Sequence, residues 1–248
     1  MHEHELWLTA LFNDHLAGLA NSILNAVRLT AENPARPWQN WIVMELLVVA
    51  ILMILLAVVR SSFSVDKPGK MQHLFELTYQ FMLEQIHDVG IVHGEKYLPY
   101  FGTLFIFILF MNLIGVIPTL ESPTMSPAVP LGLALCTFIY YNAKGIREQG
   151  LGHYLLHFVG PIPALAFLMV PIEITGHLAR PLSLTMRLFA NMFAGEQVIL
   201  AFLGLTYFII PAIFMGLHVF VAFLQAYIFT LLSMIYVGMA TEHSDNPA

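Results

Sequence analysis

Charge is what this sequence has least of. Only 10% of its 248 residues are Asp, Glu, Lys or Arg, against about a quarter in a soluble domain. With 58% hydrophobic residues the mean hydropathy is +0.75, so the chain reads as an integral membrane protein. Cysteine is nearly absent, and Cys136 alone excludes a disulfide framework within the chain and a multi-cysteine metal site. Ten Lys and Arg against sixteen Asp and Glu, thinly spread, leave no basic patch for nucleic acid. There is no nucleotide-binding glycine loop, no GxSxG and no HExxH, so nothing proposes covalent or metal catalysis, and no cofactor is expected. The amino terminus has no basic stretch followed by an apolar core; no cleaved signal peptide is expected, and the membrane segments themselves direct insertion.

What is present is a series of long apolar runs. Residues 1–37 mix acids and bases with scattered apolar residues and read as an extramembrane segment with one amphipathic helix, ahead of a single membrane domain over 38–248. Trp41 to Val59 is broken only by Glu45 and is flanked by Trp38 and Arg60, which suits one span of about 30 Å of hydrocarbon. The following stretch carries Met71, Leu74, Phe75, Met82 and Ile86 among charges and predicts an amphipathic helix on the membrane surface. Residues 97–120 and 122–143 are uncharged and give spans two and three, with ESPTMSPAVP as the turn between them. Lys and Arg follow spans one and three and are missing from that turn, which places the amino terminus outside and residues 61–97 and 144–150 in the cytoplasm.

The last hundred residues give two further helices, from about Pro163 to Leu203 and from about Tyr207 to Ala240, separated near Gly204 to Pro211. At 1.5 Å per residue these are roughly 60 Å and 50 Å long, far more than the hydrocarbon thickness. Either Pro171 and Pro181 divide the first, or both are strongly tilted. The expected fold is an all-α multi-pass membrane protein of about five membrane helices plus a surface amphipathic helix.

Within the first of these helices stands Arg187, with Ser183, Leu184, Ala190 and Asn191 as its neighbours one turn away and no acid among them. An arginine inside a bilayer costs from about 3 to over 10 kcal/mol, so it survives where it lines a wet cavity, pairs or functions. Snorkelling to lipid phosphate, or a distant acid such as Glu173, is the plainer reading, and it suits Arg180 better because that residue precedes Pro181 nearer the helix start. Ala190 and Ala194 leave the Arg187 face low enough for another helix to approach. On the second helix His218 and Gln225 share one face and Tyr236 falls close to it; with Asn191 and Glu196 they can line a polar path. Histidine and carboxylate exchange protons near neutral pH, whereas an amide orients its neighbours. Each alone is more often a packing residue. His153 and His157 have the spacing of a metal pair but no third ligand nearby, and a solvated pair is expected; His2 and His4 sit at the terminus.

The stretches RPLSLTMRLFANMFAGE (180–196) and FLQAYIFTLLSMIYVGMATEH (223–243) closely resemble subunit a of bacterial F-type ATP synthases, and KPGKMQHLFEL, YLPYFGTLFIFILFMNLIGVIP and VPLGLAL match it upstream. The resemblance covers roughly residues 40–243. It implies a non-catalytic stator subunit of the bacterial inner membrane, amino terminus outside and carboxyl terminus cytoplasmic. Its partners would be a rotating ring of subunit c, the subunit b peripheral stalk and membrane lipid. Carried over to this chain, Arg187 resembles the family's essential arginine and Gln225 its partner on the final helix. Asn191, Glu196 and His218 resemble polar residues of two aqueous half-channels, and Asn112 matches another channel position. Some relatives carry an acid near Gly115, which this chain lacks. A self-contained channel or secondary transporter would instead show inverted repeats, and none is found.

Overall fold

The apolar run 41–59 forms the centre of helix α2, Asn40–Ser61, closed by Arg60 in its last turn, where a cation complements the helix dipole. A computed structural model describes residues 5–26, 28, 33–61, 63–64, 69–91, 94–117, 119–150, 152, 154, 166–205 and 209–241. Among these, every regular element is helical. Ahead of α2 lies α1, Trp7–Ala26, held to the next segment by polar contacts. The Asn13 amide donates to the Trp38 carbonyl (3.1 Å) and accepts from the Trp38 backbone N–H (2.9 Å), and the Trp38 indole donates to Leu16 O (3.0 Å). The amphipathic segment becomes α3, Lys70–Asp88. Its second half buries Met82 and Ile86 against the rest of the protein while Met71, Leu74, Leu77 and Tyr79 stay exposed.

After a 3₁₀ turn at Gly94–Tyr97 comes α4, Leu98–Ile114, shorter than the uncharged run 97–120 suggests. The reason is the segment that follows. The Ser122 hydroxyl donates to Met111 O (2.8 Å) and lies 2.7 Å from the Thr124 hydroxyl, folding the chain back along the end of α4 into a 3₁₀ turn at Pro123–Met125. The third span is displaced accordingly: α5 is Ala128–Gln149. Pro130 fits its first turn because the N–H it lacks has no intrahelical acceptor there. The last turns of α5 carry Asn142, Lys144, Arg147 and Glu148, which lower its hydropathy below that of the other expected spans among the described residues. Length and hydropathy single out the other four, Asn40–Ser61, Gly94–Ile114, Phe167–Gly204 and Ile209–Thr241.

The final hairpin takes the undivided form. Helix α6 runs from Ala166 to Leu205, 40 residues with Pro171 and Pro181 inside it, and α7 from Ile209 to Thr241, 33 residues. Each proline removes one backbone donor. The hydroxyls of Thr175 and Thr185, four residues on, donate to the Pro171 and Pro181 carbonyls at 2.7 and 2.8 Å. A helix of about 60 Å stays within hydrocarbon of half that thickness only if strongly tilted. The core forms where α4, α5 and α6 pack on α7. It is built from Phe101, Ile108 and Met111, from Leu184, Leu188 and Met192, and from Ala222, Ala226 and Phe229. His2, His4, His153 and His157 lie outside the described residues.

Candidate functional site

Because α6 and α7 are antiparallel, each polar residue of one meets a partner at a complementary register on the other. The Asn191 amide Nδ2 donates to Gln225 Oε1 at 2.8 Å. Toward one end the Arg180 guanidinium lies over the Tyr236 ring, 5.2 Å from its centroid, within cation–π range. The eleven-position separation of Arg180 from Asn191 matches that of Gln225 from Tyr236. Toward the other end the ring of buried His218 rests on Gly195; a Cβ there would sit 2.4 Å from Nδ1, so only glycine lets the ring in. Three contacts thus form a polar seam through an apolar helix pair.

Arg187 lies within this seam. Leu184, Leu188 and Met192 of the same helix are buried in the core, whereas Ala190, Asn191 and Ala194 are exposed, with Arg187 half-buried at the margin. Among the described residues it makes neither an ion pair nor a hydrogen bond. The Asn191 amide, expected from its spacing to solvate the guanidinium, is turned to Gln225 instead. Gln225 is buried, and among the described residues neither its Nε2 nor His218 Nδ1 has a hydrogen-bond partner. Buried polar atoms of this kind call for water.

The remaining residues divide. Asn112 is fully buried and hydrogen-bonded on both sides, its Nδ2 donating to Ala222 O (3.2 Å) and its Oδ1 accepting from the Thr124 hydroxyl (2.8 Å). It ties α4 to α7 one turn from Gln225. Glu196 is half-buried one residue after Gly195, on the His218 side of the seam. Among the described residues Glu121 acts on it electrostatically; Glu121 also accepts from Asn40 Nδ2 at 3.2 Å. Glu121 is a residue that sequence reasoning missed. It bounds the uncharged run and falls in a turn, and only the fold-back of that turn toward α6 brings the two acids within reach of each other.

The arrangement defines a class: an all-α, multi-pass membrane protein in which two long antiparallel helices hold a line of polar groups beside a half-buried arginine. The model of the ATP synthase A chain family matches residues 42–238. The chain is 58% identical over 233 residues to the ATP synthase subunit a of Solibacter usitatus (strain Ellin6076), covering 94% of this chain and 99% of that one. It is 45% identical over 241 residues to that of Koribacter versatilis (strain Ellin345), covering 97% and 98%. A third, from Sulfurihydrogenibium sp. (strain YO3AOP1), is 41% identical over 179 residues, 72% of this chain and 86% of the relative. The chain belongs to the ATP synthase subunit a family. It is a non-catalytic, proton-translocating stator subunit of the Fo sector, a multi-pass protein of the bacterial inner membrane that associates with other Fo subunits. The likeness reaches further toward the amino terminus than the motifs of residues 40–243 suggest.

Proposed function

We propose that Arg187 is the fixed positive charge of a rotary stator, facing an ionisable carboxylate that a ring of subunit c carries past it through the lipid. The carrying observation is that Arg187 sits beside the exposed Ala190 and Ala194 without an acid of its own among the described residues. A charge left uncompensated inside one subunit needs a counter-charge from another, and permanent pairing would stall rotation. Protons arrive through an outer half-channel lined by Glu196 and His218, neutralise a ring carboxylate, and leave on the other side of Arg187, where the guanidinium favours the ionised carboxylate. Asn191 and Gln225 separate the two half-channels, and Asn112 anchors α4 against that divide. The amino terminus lies outside and the carboxyl terminus in the cytoplasm. Residues 1–37 stay outside the hydrocarbon, 38–248 form one membrane domain, and the subunit b stalk and lipid cover the faces turned from the ring.

The test is proton-driven ATP synthesis in membrane vesicles carrying the whole complex. Arg187→Ala stops it, Arg187→Lys nearly does because an ammonium lacks the planar fork, and Arg180→Ala, whose charge rests on Tyr236, is milder. Rates that rank Arg180 above Arg187 overturn the assignment.

A further inference from the structure

A second polar cluster lies ten residues before Arg187 on α6, about 15 Å along the axis and on the opposite side from Glu196. Asn142, near the end of α5, donates its Nδ2 to Phe138 O (2.6 Å), which fixes the amide orientation and turns Oδ1 inward. That oxygen accepts the Tyr154 hydroxyl at 2.6 Å and contacts His177 Nε2 at 2.9 Å. An amide oxygen only accepts, so Nε2 carries the hydrogen. The imidazole is clamped edge to face by Phe138 and Tyr141, with centroids 5.4 and 5.3 Å away. Gly145 makes room for Tyr154, since a Cβ there would stand 2.7 Å from the tyrosine ring and 2.8 Å from Ala240 O. Tyr154, His177, Glu173, Arg180 and Ala240 line a cleft of about 20 Å³. That is room for about one water among several polar partners.

We propose that His177, positioned by Asn142 and Tyr154, is the proton-relay residue of the exit half-channel. The inference rests on the reading of Arg187 as the point of release. A proton reaching the cleft through water is taken by the neutral ring at its second nitrogen. The imidazolium keeps its Nε2–H on Asn142, and the same proton returns to water toward the Lys144 and Arg147 end of α5. Since Asn142 Oδ1 accepts the same bond in both states, the ring changes charge without reorienting. The groups that bias it are Glu173, which favours the imidazolium, and Arg180, which disfavours it, both on α6. Among the described residues, Tyr141 from α5, Tyr236 from α7, and Tyr154 are further titratable groups near it.

The experiment uses the intact complex in vesicles, measuring synthesis, passive proton flux after removal of the catalytic sector, and the dependence of that flux on pH at the exit side. His177→Gln retains an amide donor for Asn142 but cannot carry a proton. Flux should fall severalfold in an assembled complex, and the step in the histidine range, between about pH 5 and 8, should vanish. Native flux and profile in His177→Gln would make His177 a packing residue and overturn the inference. If His177→Gln fails to assemble, Tyr154→Phe decides, since it removes one hydroxyl from Asn142. Its pH step should shift, and an unmoved step overturns the relay. Arg187→Ala is run alongside. Synthesis surviving that change refutes the stator reading, whereas loss there with a native His177→Gln refutes the relay alone.

Discussion

Replacing Gly195 by alanine tests whether α6 and α7 are as close as the polar path requires. The new Cβ would stand 2.4 Å from His218 Nδ1 and 3.0 Å from Cε1. Ordinary contact needs about 3.5 Å, so the ring must retreat by about 1 Å or the helices must part by as much. Overpacking of this size costs about 1–3 kcal/mol. Taken wholly from the conducting arrangement, that is roughly a 5- to 150-fold loss of flux. His218 is buried and hemmed in, so the loss should fall in the upper half of the range. The assay is passive proton flux through vesicles stripped of the catalytic sector, with complex assembly checked by copurification. Gly216→Ala is the control, because nothing lies within 4 Å of a Cβ there. Equal flux in the two variants and the native complex would refute the close approach and remove His218 from the path.

In a Cys136→Ser background, cysteines at the exposed Ala190 and Ala194 should form disulfides with cysteines near the membrane carboxylate of a small ring subunit and arrest ATP hydrolysis. Cysteines at the buried Leu188 and Met192 should not; the reverse pattern would place Arg187 inside the subunit. Asn112→Leu removes the hydrogen bonds to the Ala222 carbonyl and the Thr124 hydroxyl from a buried site, destabilising the detergent-solubilised complex by about 1–3 kcal/mol. A native thermal midpoint in that variant contradicts a structural role for Asn112. Glu196→Leu, which removes a proton-exchanging group from the outer side, should slow flux while leaving assembly intact, whereas Glu76→Leu on the exposed face of α3 should change neither flux nor assembly.

The long apolar runs by themselves determined that this is a helical membrane protein, because backbone groups in hydrocarbon are satisfied only by local hydrogen bonds or a closed barrel. The same runs located the break between the last two helices, and the i, i+3 and i+4 neighbours of Arg187 showed that no local acid neutralises it. Helix ends were less legible. The end of α4 was set by Ser122 reaching back to Met111, a contact across eleven residues that no local propensity encodes. Only the tertiary structure decided which polar residues meet. Asn191 and Gln225, 34 positions apart, pair because two helices run antiparallel at one register. Glu121 comes within electrostatic range of Glu196 because a turn folds back, and His177, Asn142 and Tyr154 converge because Gly145 lets a tyrosine ring in. Periodicity tells which face of a helix a residue occupies; the register between helices, fixed by packing at a distance in sequence, tells what that face touches.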